Sequence, residues 1–205
     1  MIAVVDYGMG NLYSVSQALE ELGCEVVVSD NLAVLRQAEG VLLPGVGAFG
    51  DAMAELKRRC LVSGLRELAA AGKPFLGICL GMQLLFERSE EHGQHQGLGI
   101  LPGEVVRFRG NFKIPHMGWN SLRFVREDAI FAGLDEGYAY FVHSYYARPA
   151  RSEHLLATTD YYGDIAAVVG QGRLYGMQFH PEKSSSFGMG LLRNFVRMCE
   201  RGEGT

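Results

Sequence analysis

The chain has 205 residues, 48% of them hydrophobic and 20% charged, enough for one ordinary α/β domain with a substantial core and no need of disulfide or metal staples. A formal net charge of -4 provides no basic field for nucleic acid or an anionic membrane, and no apolar run approaches the roughly twenty residues that span a bilayer. Four widely spaced cysteines without a CxxC pair fit neither a zinc knuckle nor a dense disulfide framework, and they point to a reducing cytoplasm.

Met1 to Asp6 is apolar only briefly, lacks a basic leader, and reads as a first strand over Ile2 to Asp6. Leu12, Val15, Leu19 and Leu22 then recur at helical spacing, with Gly23 as a left-handed stop, and Glu25 to Val28 supplies the second strand of a βαβ unit. A third strand, Gly40 to Leu43, runs into Pro44-Gly45-Val46-Gly47. The backbone N–H groups of such a turn can face a developing negative charge, or it can be a plain tight turn into a helix. Ala48 to Ala71 is helical, interrupted near Gly64 or at Cys60 to Val62, and broken by Gly72-Lys73-Pro74.

Pro74 to Ile78 is a fourth strand, and it leads through Gly77-Ile78-Cys79-Leu80-Gly81 into a helix. Glycine two residues to either side of a cysteine, at a strand-to-helix turn, is a nucleophile elbow with sulfur in place of oxygen. The turn strains the central residue, and neighbours lacking a Cβ let the chain pass closely. Cys79 is thereby expected at the carboxyl end of the sheet and at the positive end of the following helix, which favours the thiolate. Cys24, Cys60 and Cys199 lack this pattern and read as small buried hydrophobes.

The second half changes character. Glu104 to Phe108, Ser121 to Val125, Tyr138 to Val142, Leu155 to Thr159, Ala166 to Val169 and Leu174 to Phe179 read as strands, several of them antiparallel. The last ends in His180-Pro181-Glu182. In an extended backbone residues two apart share a side, so the Glu182 carboxylate can orient the His180 imidazole as a general base for Cys79. His116, His143 and His154 lack such a neighbour, and His92 and His95 lie in a polar, solvated stretch from Glu90 to Gln96. No HxxxH or Cys/His cluster supports a metal site, so neither metal nor cofactor is expected. Phe187 to Cys199 closes the chain as an amphipathic helix, with Glu200 to Thr205 expected to fray. Without repeat or linker, residues 1–205 read as a single domain.

The succession PGVG, GICLGMQLLFE and HPEKS resembles the class I, triad-type glutamine amidotransferases. Asp6-Tyr7-Gly8-Met9-Gly10-Asn11-Leu12, Ile114-Pro115-His116-Met117-Gly118-Trp119-Asn120 and Tyr140-Phe141-Val142-His143-Ser144-Tyr145 are similar to the glutaminase subunits of imidazole glycerol phosphate synthases. The likeness runs from residue 2 to about 198. It implies a flavodoxin-like α/β fold with a mixed central sheet flanked by helices. It also implies glutamine as substrate, with Cys79, His180 and Glu182 as triad and the N–H groups of Leu80 and, after a peptide rearrangement, Val46 as oxyanion donors. Gly47, Gln83, Ser144 and Tyr145 would contact the glutamine, while Asn11, Met117, Trp119, Asn120 and Lys183 would face a (β/α)8 barrel cyclase in a heterodimer. The cyclase would use the ammonia in histidine biosynthesis.

Other readings stay open on the residues alone. The same chemistry could feed a different synthase, such as one making pyridoxal phosphate or anthranilate. A Cys and His on this scaffold could equally serve a cysteine peptidase or a γ-glutamyl hydrolase. A non-enzymatic binding subunit would not need the three site motifs intact.

Overall fold

The computed structural model describes residues 1–200, so the expected fraying of 201–205 lies outside the described residues. The first half builds β1 (Ile2–Val5), α1 (Leu12–Glu21), β2 (Val26–Ser29), α2 (Leu32–Gln37), β3 (Gly40–Leu43), α3 (Phe49–Arg58), α4 (Leu61–Ala70), β4 (Phe75–Ile78) and α5 (Leu80–Leu84). The second half adds β5 (Phe86–Ser89), β6 (His95–Gln96), β7 (Leu101–Arg107), β8 (His116–Ser121), β9 (Arg123–Phe124), β10 (Tyr138–His143), β11 (Tyr145–Pro149), β12 (Leu155–Asp160), β13 (Asp164–Gln171), β14 (Leu174–Met177) and α6 (Ser185–Glu200).

Eight strands form the main sheet in the order β2-β1-β3-β4-β14-β13-β12-β9. The first five are parallel and the last three antiparallel, which is the mixed, flavodoxin-like sheet the sequence predicts. Alternation along buried strands divides the core. Ala3 and Val5 of β1 with Val41 and Leu43 of β3 pack on one face, under Leu35, Leu56 and Leu65. Ile2, Val4 and Leu42 pack on the other, under Leu19, Leu191 and Phe195. Each fully buried side chain of this size contributes about 1.5–3 kcal/mol, so helices on both faces are what the pattern requires.

Local signals set the element ends. Gly23 takes a φ of +84° after α1, and the interruption between α3 and α4 falls at Cys60, itself left-handed at φ 57°. Several expectations are corrected. Helix α2 and strands β5, β6, β8 and β11 were not predicted; Glu90 to Gln96 is solvent-facing as expected, with none of its residues buried, and His95 and Gln96 at its end pair with β5. Strand β14 stops at Met177, two residues short of Phe179, and β7 starts three residues before Glu104. A four-stranded sheet, β11-β7-β5-β6, and the β10-β8 ribbon rise beside the carboxyl ends of the parallel strands.

Candidate active site

Cys79 follows β4 with φ 55° and ψ −113°, a strained backbone for a residue with a side chain. The flanking glycines are sterically required. A Cβ on Gly77 would lie 2.6 Å from the Gly81 carbonyl oxygen, and one on Gly81 only 1.8 Å from the Leu43 oxygen. A Cβ on Gly45 would meet the Tyr7 hydroxyl at 2.7 Å and the Gly81 nitrogen at 2.8 Å, so the turn after β3 nests against the elbow after β4. The Tyr7 hydroxyl donates to the Pro44 carbonyl at 2.9 Å and anchors that turn from below. As first residue of α5, Leu80 has an N–H with no carbonyl of its own helix to meet. Val46, 44% exposed, and Gly47, at φ +99°, form the rim opposite.

His180 meets Glu182 through Nδ1 and Oε1 at 2.9 Å, with side chains only 5% and 1% exposed. The geometry differs from the extended one expected. Pro181 to Lys183 is a 3-10 turn, and the fixed φ of Pro181 at its start curls the carboxylate back beneath the imidazole. Burial opposes a charge on His180, but its interactions with the Cys79 sulfur and with the hydrogen-bonded Glu182 carboxylate outweigh it and raise its pKa to about 9. The second Glu182 oxygen is buried without a hydrogen-bond partner among the described residues.

Cys79 and His180 line one cavity of about 350 Å³ together with Val46, Gly47, Leu80, Gln83, Ser144 and Tyr145. The sequence-predicted triad, oxyanion and substrate residues therefore converge, apart from Glu182, which stands behind His180. Three features were missed. Glu91 also lines the cavity, and its Oε2 accepts the Phe49 N–H at 2.7 Å, capping α3 where Ala48 offers no side-chain cap. The signal was the uncapped helix start, which could not say which residue would serve. Gln178, fully buried, accepts from Gln83 Nε2 at 3.0 Å and directs its own Nε2 at the Cys79 sulfur, 3.9 Å away. A polar residue inside the apolar run Met177-Gln178-Phe179 was a readable sign of a required partner. His116 and His143, read as lacking a neighbour, have each other: Nδ1 of His116 lies 2.9 Å from Nε2 of His143.

The residues expected at a partner surface separate. Met117 and Trp119 project outward from β8, each 55% exposed, and Lys183 is exposed at the end of the His-Pro-Glu turn. Asn11 is the N-cap of α1, accepting from the Ser14 N–H at 3.4 Å. Asn120 lies on the inner side of β8, and its amide is bonded to the Asp160 carbonyl, the Ser121 N–H and His116. Strand alternation places it opposite Met117 and Trp119. Among the described residues no group of three His, Cys, Asp or Glu side chains is placed to hold a metal ion, and no helix is long and apolar enough to cross a membrane.

Residues 3–199 match the family described as glutamine amidotransferase class-I. The chain is 53% identical, over 100% of both lengths, to the imidazole glycerol phosphate synthase subunit HisH of Geobacillus kaustophilus. It is 54% identical to the subunit of the same name from Moorella thermoacetica, over 95% of this chain and 93% of the other. A solved glutamine amidotransferase superposes with a TM-score of 0.78 at 20% identity, over 98% of this chain and 100% of that one, a likeness of fold.

Proposed function

The chain belongs to the class I glutamine amidotransferases, among the HisH subunits of imidazole glycerol phosphate synthase, and from that premise we propose that Cys79, His180 and Glu182 carry its glutaminase chemistry. A subunit of this kind hydrolyses glutamine and passes the ammonia on within histidine biosynthesis. The observation that supports the triad is the buried 2.9 Å His180–Glu182 pair, whose imidazole lines one cavity wall together with Cys79.

The Cys79 sulfur adds to the side-chain amide carbon of glutamine, and the carbonyl oxygen becomes an oxyanion. The Leu80 N–H receives it, joined by the Val46 N–H once the peptide near Gly45 and Val46 turns inward. A His180 pKa of about 9 makes the imidazolium the resting form at neutral pH, ready to protonate the leaving nitrogen as the C–N bond breaks. Neutral His180 then takes a proton from water, which attacks the γ-glutamyl thioester; the C–S bond breaks, glutamate leaves, and the pair of Cys79 thiolate and His180 imidazolium is restored. Glu182 keeps the imidazole oriented and its charge balanced throughout. Gly47, Gln83, Ser144 and Tyr145 hold the backbone groups of glutamine, and the Glu91 carboxylate suits the substrate ammonium.

Ammonia must reach its acceptor unprotonated to keep its lone pair, which calls for a covered route into the partner subunit. That partner is a cyclase with a (β/α)8 barrel, docking on the Met117, Trp119 and Lys183 face as the second half of a heterodimer in the cytoplasm. It joins the ammonia to a phosphoribulosyl formimino intermediate, giving imidazole glycerol phosphate and aminoimidazole carboxamide ribotide. Cys79→Ala is expected to abolish glutamine hydrolysis while leaving thermal stability and partner binding intact. A γ-diazoketone analogue of glutamine should label Cys79 alone, read by mass spectrometry of mapped peptides. Hydrolysis retained in the variant, or a label elsewhere, would place the nucleophile at another residue.

A further inference from the structure

His116 and His143 are 3% and 6% exposed, and aromatic rings enclose them, with Phe141 4.7 Å and Tyr161 3.9 Å from the His116 ring and Phe108 5.2 Å from that of His143. Apolar residues of similar shape would fill this space without desolvating two imidazoles. A buried polar pair therefore calls for a purpose beyond packing.

Its proton positions follow from one fixed point. The Tyr145 carbonyl can only accept, so His143 Nδ1, 2.8 Å away, carries the hydrogen and donates. His143 Nε2 is then a lone pair, and His116 Nδ1 must donate to it across 2.9 Å. His116 Nε2 is left as an acceptor, facing the Asn120 amide nitrogen at 3.3 Å. Both rings are neutral Nδ1–H tautomers, consistent with burial lowering their pKa values to about 4 and about 3.

The chain of bonds ends at the cavity. Strand β10 stops at His143 and β11 starts at Tyr145, so Ser144 is the single residue at which the chain leaves the β8 ribbon for β7. The bond from His143 to the Tyr145 carbonyl spans that bend from the side. Gln83 Nε2 donates to the same carbonyl at 3.0 Å, so this oxygen is held from the His143 side and from the helix that follows the nucleophile.

We infer that His116 and His143 are positioning residues that fix the Ser144–Tyr145 edge of the glutamine pocket by holding the Tyr145 carbonyl through a one-way hydrogen-bond chain. The inference rests on the proposed contact of Ser144 and Tyr145 with glutamine. With the chain broken, the bend relaxes, and binding of the glutamine backbone groups weakens before chemistry at Cys79 does.

The test uses the subunit assembled with its cyclase partner and follows glutamine hydrolysis in His143→Phe, His143→Asn, His116→Phe and His116→Asn. Either phenylalanine should raise the glutamine KM about tenfold, the scale of one buried hydrogen bond left unmade, with kcat nearly unchanged. Asparagine sets an amide N–H close to the Nδ1 position and should recover most of the KM. A fall in kcat at constant KM, without rescue by asparagine, is the mark of mere packing and overturns the proposal. Should the phenylalanine variants not fold, nitrogen NMR of the imidazoles in the unaltered chain decides: both Nδ1–H at neutral pH supports the chain, and an Nε2–H tautomer at His143 overturns it. Diazoketone labelling of Cys79 in the same samples separates the two levels. Labelling with unchanged KM in the variants removes only the positioning role, whereas absence of labelling in the unaltered protein removes the reading of the site itself.

Discussion

Two kinds of histidine meet at one cavity wall, and their environments pull them in opposite directions. His180 lies between a sulfur and a carboxylate and is raised to about 9, while His143 is buried among aromatic rings, between the Tyr145 carbonyl and a neutral His116, and is lowered to about 3. The signs give separate windows. A raised pKa contributes stability that is full below the unfolded value of about 6.5 and is lost as pH rises through about 9. A lowered pKa contributes stability present above about 6.5 and lost as pH falls toward about 4 for His116 and about 3 for His143. Between pH 7 and pH 5 the unfolded chain therefore binds protons that these two buried rings refuse. For His143 alone this amounts to about 2 kcal/mol at pH 5, and urea unfolding followed across that interval should show the loss. A midpoint independent of pH there would mean that the pair opens and protonates in the folded state. The same pKa of His180 predicts a descending limb of the glutaminase rate near pH 9, as the acid for ammonia departure disappears.

At the scale of elements, the site exists because two turns touch. The end of β3 and the elbow after β4 are close enough that a Cβ on Gly81 would overlap the Leu43 carbonyl oxygen at 1.8 Å. That oxygen belongs to the backbone of a central strand and cannot give way as a flexible side chain would. Gly81→Ala should thus cost more than the usual 1–3 kcal/mol of overpacking, roughly, and Cys79 should lose its reactivity toward the diazoketone. Gly172→Ala is the contrast: nothing lies within 4 Å of its Cβ, so only the strain of φ +62° is paid, about 1–2 kcal/mol, and labelling should persist. Equal behaviour of the two variants would separate the glycine pattern from the geometry of the nucleophile. These glycines were legible in the sequence because a steric demand leaves a residue-type signature, as did the apolar runs of β1, β3 and β4, buried on both faces. Other elements carry no such mark. Phe86–Ser89 follows α5 without a turn residue and carries two charges, and it is a strand because β7 and β6 pair with it. The break at Ser144 is likewise set by pairing to two different partners. The His180–Glu182 pair was legible from spacing, but its route was not, since a 3-10 turn and an extended strand can bring the same two atoms together.

For the whole molecule, β8 divides the labour between surface and site. Its outer face shows Met117 and Trp119, while its inner face carries His116 and Asn120 toward the cavity wall. Two large apolar side chains exposed side by side on a narrow ribbon gain about 1.5–3 kcal/mol each if a partner covers them, and tryptophan is a frequent centre of binding energy. Trp119→Ala should weaken association with the cyclase by at least about 2 kcal/mol, some thirtyfold in Kd by calorimetric titration. The glutaminase readout follows from the oxyanion turn. If the Val46 N–H is the proposed second oxyanion donor and turns inward only with the partner, its absence lowers the rate about 10²–10³-fold, so the isolated subunit should be slow and speed up when cyclase and its ligand are added. In Trp119→Ala that rise should need correspondingly more cyclase yet reach a comparable plateau. A rate equal with and without cyclase would show the donor already in place and detach catalysis from docking. An unshifted titration in the variant would move the docking face away from β8.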